Sequence, residues 1–550
     1  MVVGILRDGR VRIVTAFFTL TYVCIVAYSF FLQVYENSFF TSIGNKQYKL
    51  VITRKPPRAP IFDRNSQPIA FDKEILSAFI TPNNLSEKVK VQRFLKQYFP
   101  DALKRLEEHP ELYFSYVKRH LTPEEIVIIN KAELADIRLL REQRRFYAIP
   151  SLGNTIGTTD IDNHGLSGIE LIFDKQLAGT PTTYLLEKDA RSTAYYFKRE
   201  TKTAGIEGHP IKLTIDSDLQ FIAYDNLKSW CKKLAAKEGM VLIMNPQNGE
   251  LLALACYPDF DPNKPAPDEL ALTKNRIFTE VHEFGSVMKV FPALAALDEK
   301  VVIPDEIIDC ENKRETYING IRITTWRAFG PQTYTDVIRT SNNIGTSKVS
   351  LRLGKKLYDH LSKCGFGNKT NLCFPGEQCG FITPPHAWSK ATPLSLSFGY
   401  EISASLLQLA CGFSLFATNG FLPIPKLVYK QKTEDRPQQI YRSEPIQTMR
   451  QTLTLEPQKG VGYFGYIPGF TVMGKTGSSY LISNGSYDKT RSLYTFAGII
   501  EGENYQRLIV TSIREPQQTG KQTYATTMAV PLFKIIAEQM VVHEQATPRS

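Results

Sequence analysis

Three short motifs follow one another along the chain, and each carries side chains suited to acyl transfer. Ser286 and Lys289 form a Ser-x-x-Lys sequence, Ser341 and Asn343 belong to Ser-Asn-Asn, and Lys475 begins Lys-Thr-Gly. A serine hydroxyl becomes a good nucleophile when a base removes its proton, and a lysine can be that base when burial or nearby positive charge lowers its pKa. Ser341 can relay a proton, and Asn343 can hydrogen-bond a substrate amide. The motifs together predict a serine acyl transferase site.

The order of the motifs is more informative than any one of them. Ser-x-x-Lys also occurs at Ser115, Ser229 and Ser486, and Ser-x-Asn is common in turns. Ser286 is the last such serine before Ser341, and it opens an apolar stretch. Order and context therefore select Ser286 as the nucleophile.

The third motif is expected to hold an anionic group of the substrate. Lys475 has the hydroxyls of Thr476 and Ser478 beside it, a combination suited to a carboxylate. Gly477 is expected to permit close approach of a substrate backbone. The backbone N–H groups of Ser286 and Ser478 are candidates for an oxyanion hole.

The sequence around Ser286 predicts the start of a helix. An apolar run follows Gly285, and Lys289 would lie on the same face as Ser286 because the two are three residues apart. Pro292 is expected to remove the bond to the carbonyl of Met288 and to kink this helix.

The N-terminus predicts a membrane anchor. The run 13–32 carries no charge, and a helix rising roughly 1.5 Å per residue over this length crosses a bilayer core of about 30 Å. Three arginines precede the run and the next basic residue after it is Lys46, so the N-terminus is expected to stay cytoplasmic. A cleaved signal peptide is the alternative, but no small-x-small site follows at 33–36.

Composition predicts a globular protein with two or three folded units beyond this anchor. The chain has 550 residues, 43% of them hydrophobic, and a formal net charge of +11. No basic run interleaved with aromatics indicates nucleic-acid binding, and no Cys/His spacing indicates a metal site. Of the eight cysteines, Cys373 and Cys379 could form a disulfide or be small buried hydrophobes.

Pattern changes divide the exported part near residue 206. The first part contains a charged region, 86–145, that is predicted to be helical, with Thr122 as N-cap and Glu125 closing a capping box. The second part predicts a helix over 218–236 and strands over 211–215, 240–245, 251–256, 470–473, 494–500 and 507–513. The fold class is therefore α+β, an antiparallel sheet with helices on its faces.

Beyond the three motifs, further segments resemble class B penicillin-binding proteins, and among them the division-specific FtsI type. The similar segments are 58–65, 168–170, 275–276, 397–400 and 407–410. The chain departs from the family pattern at Phe284, Ala59, Glu401 and Ala404-Ser405.

This resemblance implies a peptidoglycan D,D-transpeptidase with no cofactor, which cross-links D-Ala-D-Ala stem peptides during septal wall synthesis and is acylated by β-lactams. It implies a cytoplasmic tail (1–12), a transmembrane helix in the inner membrane (13–33), an elongated pedestal (34–205) and a periplasmic transpeptidase domain (206–545). Expected partners are a SEDS-type glycan polymerase and other divisome proteins. The alternatives are a membrane-anchored β-lactamase and a catalytically inactive divisome scaffold.

Overall fold

The N-terminal segment forms a long helix whose apolar side chains are exposed. The computed structural model describes residues 2–188, 195–429, 437–457, 464–483, 485–517 and 524–549. The helix Val2–Phe30 continues into a π-helical turn, Phe31–Tyr35, and large apolar side chains from Val11 to Phe31 face outward along its length. In the described chain, Gly9–Tyr35 is long and apolar enough to cross a membrane, which confirms the predicted N-terminal apolar helix. Ala525–His543 also meets this criterion, but most of it is buried in the fold.

Residues 1–57 and 178–208 form one compact unit. After the long helix come the helix Asn37–Tyr48 and an antiparallel three-stranded sheet. The middle strand of this sheet, Thr182–Lys188, pairs with Lys49–Arg54 on one side and with Tyr195–Thr203 on the other.

Residues 58–177 and 209–550 form the second unit. Its first part has a sheet in the order Ser115–Lys118, Pro68–Ile80, Ile61–Phe62 and Ile211–Lys212, with Arg138–Tyr147 also paired to Pro68–Ile80. Its helices are Lys88–Tyr98, Pro100–Glu108, Pro123–Ala132, Gly153–Ile156, Gly168–Ile172 and Asp174–Ala178.

The prediction that residues 86–145 are helical was only partly right. Ser115–Lys118 and Arg138–Tyr147 are strands, because each pairs with Pro68–Ile80, a partner distant in sequence. The capping box of the helix Pro123–Ala132 is present as predicted, with Thr122 and Glu125 bonded reciprocally.

The segment 58–65 makes buried polar contacts within the first part of this unit and one, through Asp63, to the second part. Arg58 and Arg145 both pair with Glu170, at 2.6 and 2.7 Å, and all three side chains are buried. Asp63 accepts a hydrogen bond from the Ser217 hydroxyl at 2.6 Å. A removed partner would leave buried charge uncompensated, so this cluster needs all its members.

The second part is built on an antiparallel sheet of five strands. Their order across the sheet is Leu251–Tyr257, Glu238–Met244, Tyr505–Arg514, Ser486–Gly502 and Thr471–Ser483. One face packs on the helices Ser217–Lys233 and Val530–His543, and the other on Val290–Asp298 and Leu406–Phe413. The predicted α+β sandwich is confirmed.

The remaining helices and strands surround this sandwich. Helices are Arg276–Thr279, Tyr334–Arg339, Asn343–Leu353, Lys356–Lys363, Thr392–Ser397, Ser443–Leu453 and Ala525–Met528. Paired strands are Lys313–Ile318 with Ile321–Phe329, Ile307–Ile308 with Gln332–Thr333, Phe381–Ile382 with Ile402–Ser403, and Phe421–Leu422 with Gln438–Gln439.

Cys373 and Cys379 form no disulfide and are not buried, because each is a free, exposed cysteine. Both alternatives that the sequence left open for them are therefore wrong. The other cysteines beyond the N-terminal helix are buried: Cys231, Cys256, Cys310, Cys364 and Cys411.

Candidate active site

Ser286 and Lys289 lie on a 3₁₀ turn, Gly285–Lys289, which we call the nucleophile turn. Side chains three residues apart eclipse one another in a 3₁₀ turn, and Lys289 Nζ donates a hydrogen bond to Ser286 Oγ at 2.7 Å. The α-helix begins only at Val290. Pro292 therefore lies in its first turn, where a missing N–H costs little, and the predicted mid-helix kink is wrong.

Ser341 connects two helices and faces the nucleophile turn. It adopts φ 57°, between Tyr334–Arg339 and Asn343–Leu353. Lys289 Nζ donates to the Ser341 carbonyl at 3.0 Å and lies 3.1 Å from its hydroxyl. Ser286, Lys289 and Ser341 thus form one hydrogen-bonded chain.

The two asparagines beside Ser341 hold its loop in place. Asn342, which the sequence analysis did not single out, is fully buried and caps the following helix by accepting from the N–H groups of Ile344 and Gly345. The Asn343 amide donates to the carbonyl of Thr324 at 2.7 Å. One N–H of the Asn343 amide is thus used within the protein, while its second N–H and its oxygen are left for the predicted substrate contact.

Lys475 reaches the same hydroxyl from the opposite wall. It lies on the edge strand Thr471–Ser483, and its Nζ is 3.0 Å from Ser341 Oγ and 3.3 Å from the carbonyl of Thr476. Thr476 is half-buried and Ser478 is exposed beside it. Thr476 and Ser478 are two residues apart on this strand, so their side chains lie on the same face of it.

Gly477 brings this strand against the nucleophile turn. A Cβ added to Gly477 would lie 2.3 Å from the carbonyl oxygen of Phe284 and 2.9 Å from the nitrogen of Val287. The glycine is thus needed for packing inside the protein, and its close approach to a substrate backbone stays a prediction.

The backbone segments of Ser286 and Ser478 also run side by side. Gly285 has φ 57°, and a Cβ there would lie 2.4 Å from the carbonyl oxygen of Ser478. The N–H groups of Ser286 and Ser478, the candidate oxyanion hole, are therefore carried on two segments in direct contact.

The pKa values of both lysines in the site are lowered by their surroundings. Burial lowers the pKa of Lys289 well below its ordinary value, and the positive charge of Lys475 lowers it further. Burial lowers the pKa of Lys475 to about 8. Because the positive charge of Lys475 acts on Lys289 in addition to burial, Lys289 is suited to accept a proton and Lys475 to carry the charge.

Comparisons with known proteins agree with this geometry. The family profile described as "Penicillin binding protein transpeptidase domain" matches residues 239–538, and the profile of the penicillin-binding protein dimerisation domain matches residues 53–213. The chain is 30% identical to the probable peptidoglycan D,D-transpeptidase PbpC of Pseudomonas aeruginosa, over 96% of this chain and 94% of that protein. It is 26% identical to the peptidoglycan D,D-transpeptidase FtsI of Escherichia coli K12, over 92% and 87%.

A similar fold has been solved in penicillin-binding protein 3 from Mycobacterium tuberculosis, in complex with aztreonam. The two structures superpose with a TM-score of 0.68 and are 24% identical in sequence. The match covers 91% of this chain and 98% of that one. The chain therefore belongs to the penicillin-binding proteins, with the dimerisation and transpeptidase domains of class B. Its enzyme class is the serine-type D,D-transpeptidase.

Proposed function

We propose that the protein cross-links peptidoglycan stem peptides during septal wall synthesis, with Ser286 as the nucleophile. One observation carries this proposal: the Nζ atom of buried Lys289 lies 2.7 Å from Ser286 Oγ and 3.1 Å from Ser341 Oγ. A neutral amine at these distances can take the serine proton and pass it to a leaving group.

In the first step Ser286 Oγ attacks the carbonyl carbon of the penultimate D-Ala while Lys289 takes the hydroxyl proton. The negative charge on the carbonyl oxygen is stabilised by the N–H groups of Ser286 and Ser478. The peptide C–N bond then breaks. Lys289 returns the proton through Ser341 to the amine of the departing terminal D-Ala.

Lys475 and its neighbours orient the substrate. The ammonium group binds the terminal carboxylate together with the hydroxyls of Thr476 and Ser478. In the second step an amine of a neighbouring stem attacks the acyl carbon and loses a proton to Lys289. The ester bond breaks and Ser286 regains its hydroxyl proton.

The septal role rests on similarity to FtsI, and acylation by β-lactams rests on the family and on the aztreonam complex of the structural relative. The N-terminal helix supports anchoring in the inner membrane with residues 1–12 cytoplasmic, 34–205 as pedestal and 206–545 outside the cytoplasm. The family relationship also supports a SEDS-type glycan polymerase and other divisome proteins as partners.

The test is labelling with a fluorescent penicillin, followed by mapping of the modified peptide. We expect label on Ser286 alone, and none in Ser286→Ala. Ser229→Ala is the matched control, because Ser229 belongs to another Ser-x-x-Lys sequence and is exposed on a helix. Label that persists in Ser286→Ala would refute the assignment.

The lifetime of the acyl-enzyme separates a transpeptidase from a β-lactamase. Hydrolysis needs a base to activate water, and within the described chain neither Ser286 nor Lys289 hydrogen-bonds a carboxylate. We expect the penicillin adduct to persist for many minutes in buffer. Several turnovers per second would indicate a hydrolase, and no labelling at all would indicate an inactive scaffold.

A further inference from the structure

Glu283, three residues before the nucleophile, is hydrogen-bonded by three separate segments. Its backbone carbonyl accepts from the Ser479 hydroxyl at 2.5 Å. Its carboxylate oxygen Oε1 accepts from the backbone N–H of Glu401 at 2.8 Å and from the Tyr487 hydroxyl at 3.2 Å. These contacts join the start of the nucleophile turn to both strands of one hairpin and to a neighbouring loop.

The hairpin consists of Thr471–Ser483 and Ser486–Gly502, and we call it the active-site hairpin. Ser479 lies on its first strand directly after Ser478, whereas Tyr487 lies on its second strand. The Tyr487 ring also meets the Tyr400 ring edge-on, at 5.2 Å between centroids. Glu283 therefore bonds the hairpin on both sides of its turn.

The loop contact fixes an unusual backbone conformation. Glu401 adopts φ 57°, a left-handed conformation that is strained for a residue with a Cβ and persists only where its surroundings hold it. Its N–H is held by Glu283. The surrounding contacts thus maintain a local conformation that the chain would otherwise leave.

The buried position of the Glu283 carboxylate lowers the stability of the fold. Its second oxygen, Oε2, is buried and has no hydrogen-bond partner among the described residues. Burial raises the pKa of Glu283, and the nearby Glu401 carboxylate raises it further. A buried acceptor left unsatisfied is destabilising, so the position of this carboxylate has a cost in stability.

We propose that Glu283 is a positioning residue that sets the spacing between the two halves of the oxyanion hole. This inference rests on the proposed function, in which the N–H groups of Ser286 and Ser478 share the developing negative charge. Glu283 is bonded to the hairpin one residue after Ser478 and again across the hairpin. The Ser479 bond goes to the backbone carbonyl of Glu283, so the Glu283 side chain holds the hairpin through Tyr487, and loss of that bond would shift Ser478 relative to Ser286.

The consequence should be larger in the chemical step than in substrate binding. A misplacement of about 1 Å in a catalytic constellation can cost up to about 100-fold in rate. The Lys475 carboxylate site lies on the first strand itself and has no bond to Glu283. We therefore expect the acylation rate constant to fall by a larger factor than the dissociation constant of the first, non-covalent complex rises.

The test uses the full chain in detergent and a chromogenic β-lactam, with stopped-flow separation of these two constants. Tyr487→Phe removes one hydroxyl contact with Glu283 and should lower the acylation rate constant about ten-fold. Tyr480→Phe is the matched control, a tyrosine of similar exposure on the same hairpin with no bond to Glu283, and should leave both constants unchanged.

Two substitutions of Glu283 complete the set. Glu283→Ala should slow acylation at least as much as Tyr487→Phe. Glu283→Gln should largely restore the rate, because an amide oxygen can still accept from Glu401 and Tyr487. If Glu283→Ala fails to fold, as its unfolding midpoint would show, Tyr487→Phe alone decides.

Three results would overturn the inference. One is a normal acylation rate constant in both Tyr487→Phe and Glu283→Ala. Another is weakened binding with an unchanged rate constant, and the third is a Glu283→Gln variant as slow as the Glu283→Ala variant. A wild-type protein that never becomes acylated would refute the proposed function and this inference together, whereas acylated variants with normal rates refute only the inference.

Discussion

At the scale of single residues, the chemistry depends on a lysine that can lose its proton. Lys289→Arg keeps the positive charge, but a guanidinium is not deprotonated in proteins. We expect the acylation rate to fall about 100-fold or more, as for removal of a general base. The matched control is Lys348→Arg. Lys348 lies on the helix Asn343–Leu353 and pairs with Glu311, so this variant should keep the wild-type acylation rate. Rapid acylation of the Lys289→Arg variant would show that Lys289 is structural.

The two lysines also predict the pH dependence of acylation. Lys289 must be neutral, so the rate should rise as pH increases through its lowered pKa. Lys475 must be charged to bind a carboxylate, so the rate should fall as pH passes its pKa of about 8. The acylation rate constant divided by the dissociation constant should therefore give a bell-shaped curve when it is plotted against pH. The Lys475→Arg variant should lose the descending limb of this curve. A rate that keeps rising to about pH 10 would contradict this charge assignment.

The order of the motifs allowed the sequence to predict which reactive side chains lie together, but not which other residues they contact. Lys289 pairs with a serine three residues away, a local relation that any helical turn creates. The bond from Asn343 to Thr324 requires a strand from a separate hairpin to pack on the loop. Glu283 gave no sequence signal beyond its place near Ser286, since its role comes from tertiary contacts.

At the scale of elements, the contact between the nucleophile turn and the edge strand leaves no room for a side chain at Gly477. Gly477→Ala would place a methyl group 2.3 Å from the Phe284 carbonyl oxygen, so the strand must move away. We expect a loss of about 1–3 kcal/mol in the free energy of unfolding, with slowed acylation. Urea unfolding and acylation kinetics measure the two effects.

The matched control for this substitution is Gly330→Ala. A Cβ at Gly330 meets no atom within 4 Å, so the same chemical change should leave stability and acylation unchanged. Equal stability of the two variants would mean that the turn and strand are not held in the contact described.

Elements with strong local patterns were predictable, and those defined by distant pairing were not. The strands Glu238–Met244 and Leu251–Tyr257 flank a short turn, and both were expected from sequence. Arg138–Tyr147 is rich in charge and lacks a buried face over most of its length, so its pattern suggested a helix. Its strand conformation comes from pairing with Pro68–Ile80.

At the scale of the whole molecule, all predicted site residues belong to one compact unit, and the apolar N-terminal helix belongs to the other. Sequence patterns predicted an N-terminal anchor and a boundary near residue 206, and the family resemblance implied a pedestal followed by a transpeptidase domain. They could not predict that Ala178–Gly208 groups with the N-terminal residues, because that grouping depends on strand pairing between Lys49–Arg54 and Thr182–Lys188.

This division predicts that residues 36–550 are soluble and still bind penicillin. Removal of the first 35 residues leaves the sheet strand Lys49–Arg54 and the entire second unit intact. The acylation rate constant should stay within about two-fold of that of the full chain, because the site lies in a separately folded part. The same truncation carrying Ser286→Ala is the control for non-specific labelling.

In cells depleted of the full-length protein, a secreted 36–550 should fail to support septal cross-linking, since the anchor is expected to keep the enzyme at the membrane beside its partners. Full complementation by the secreted form would show that the N-terminal helix is dispensable for that role.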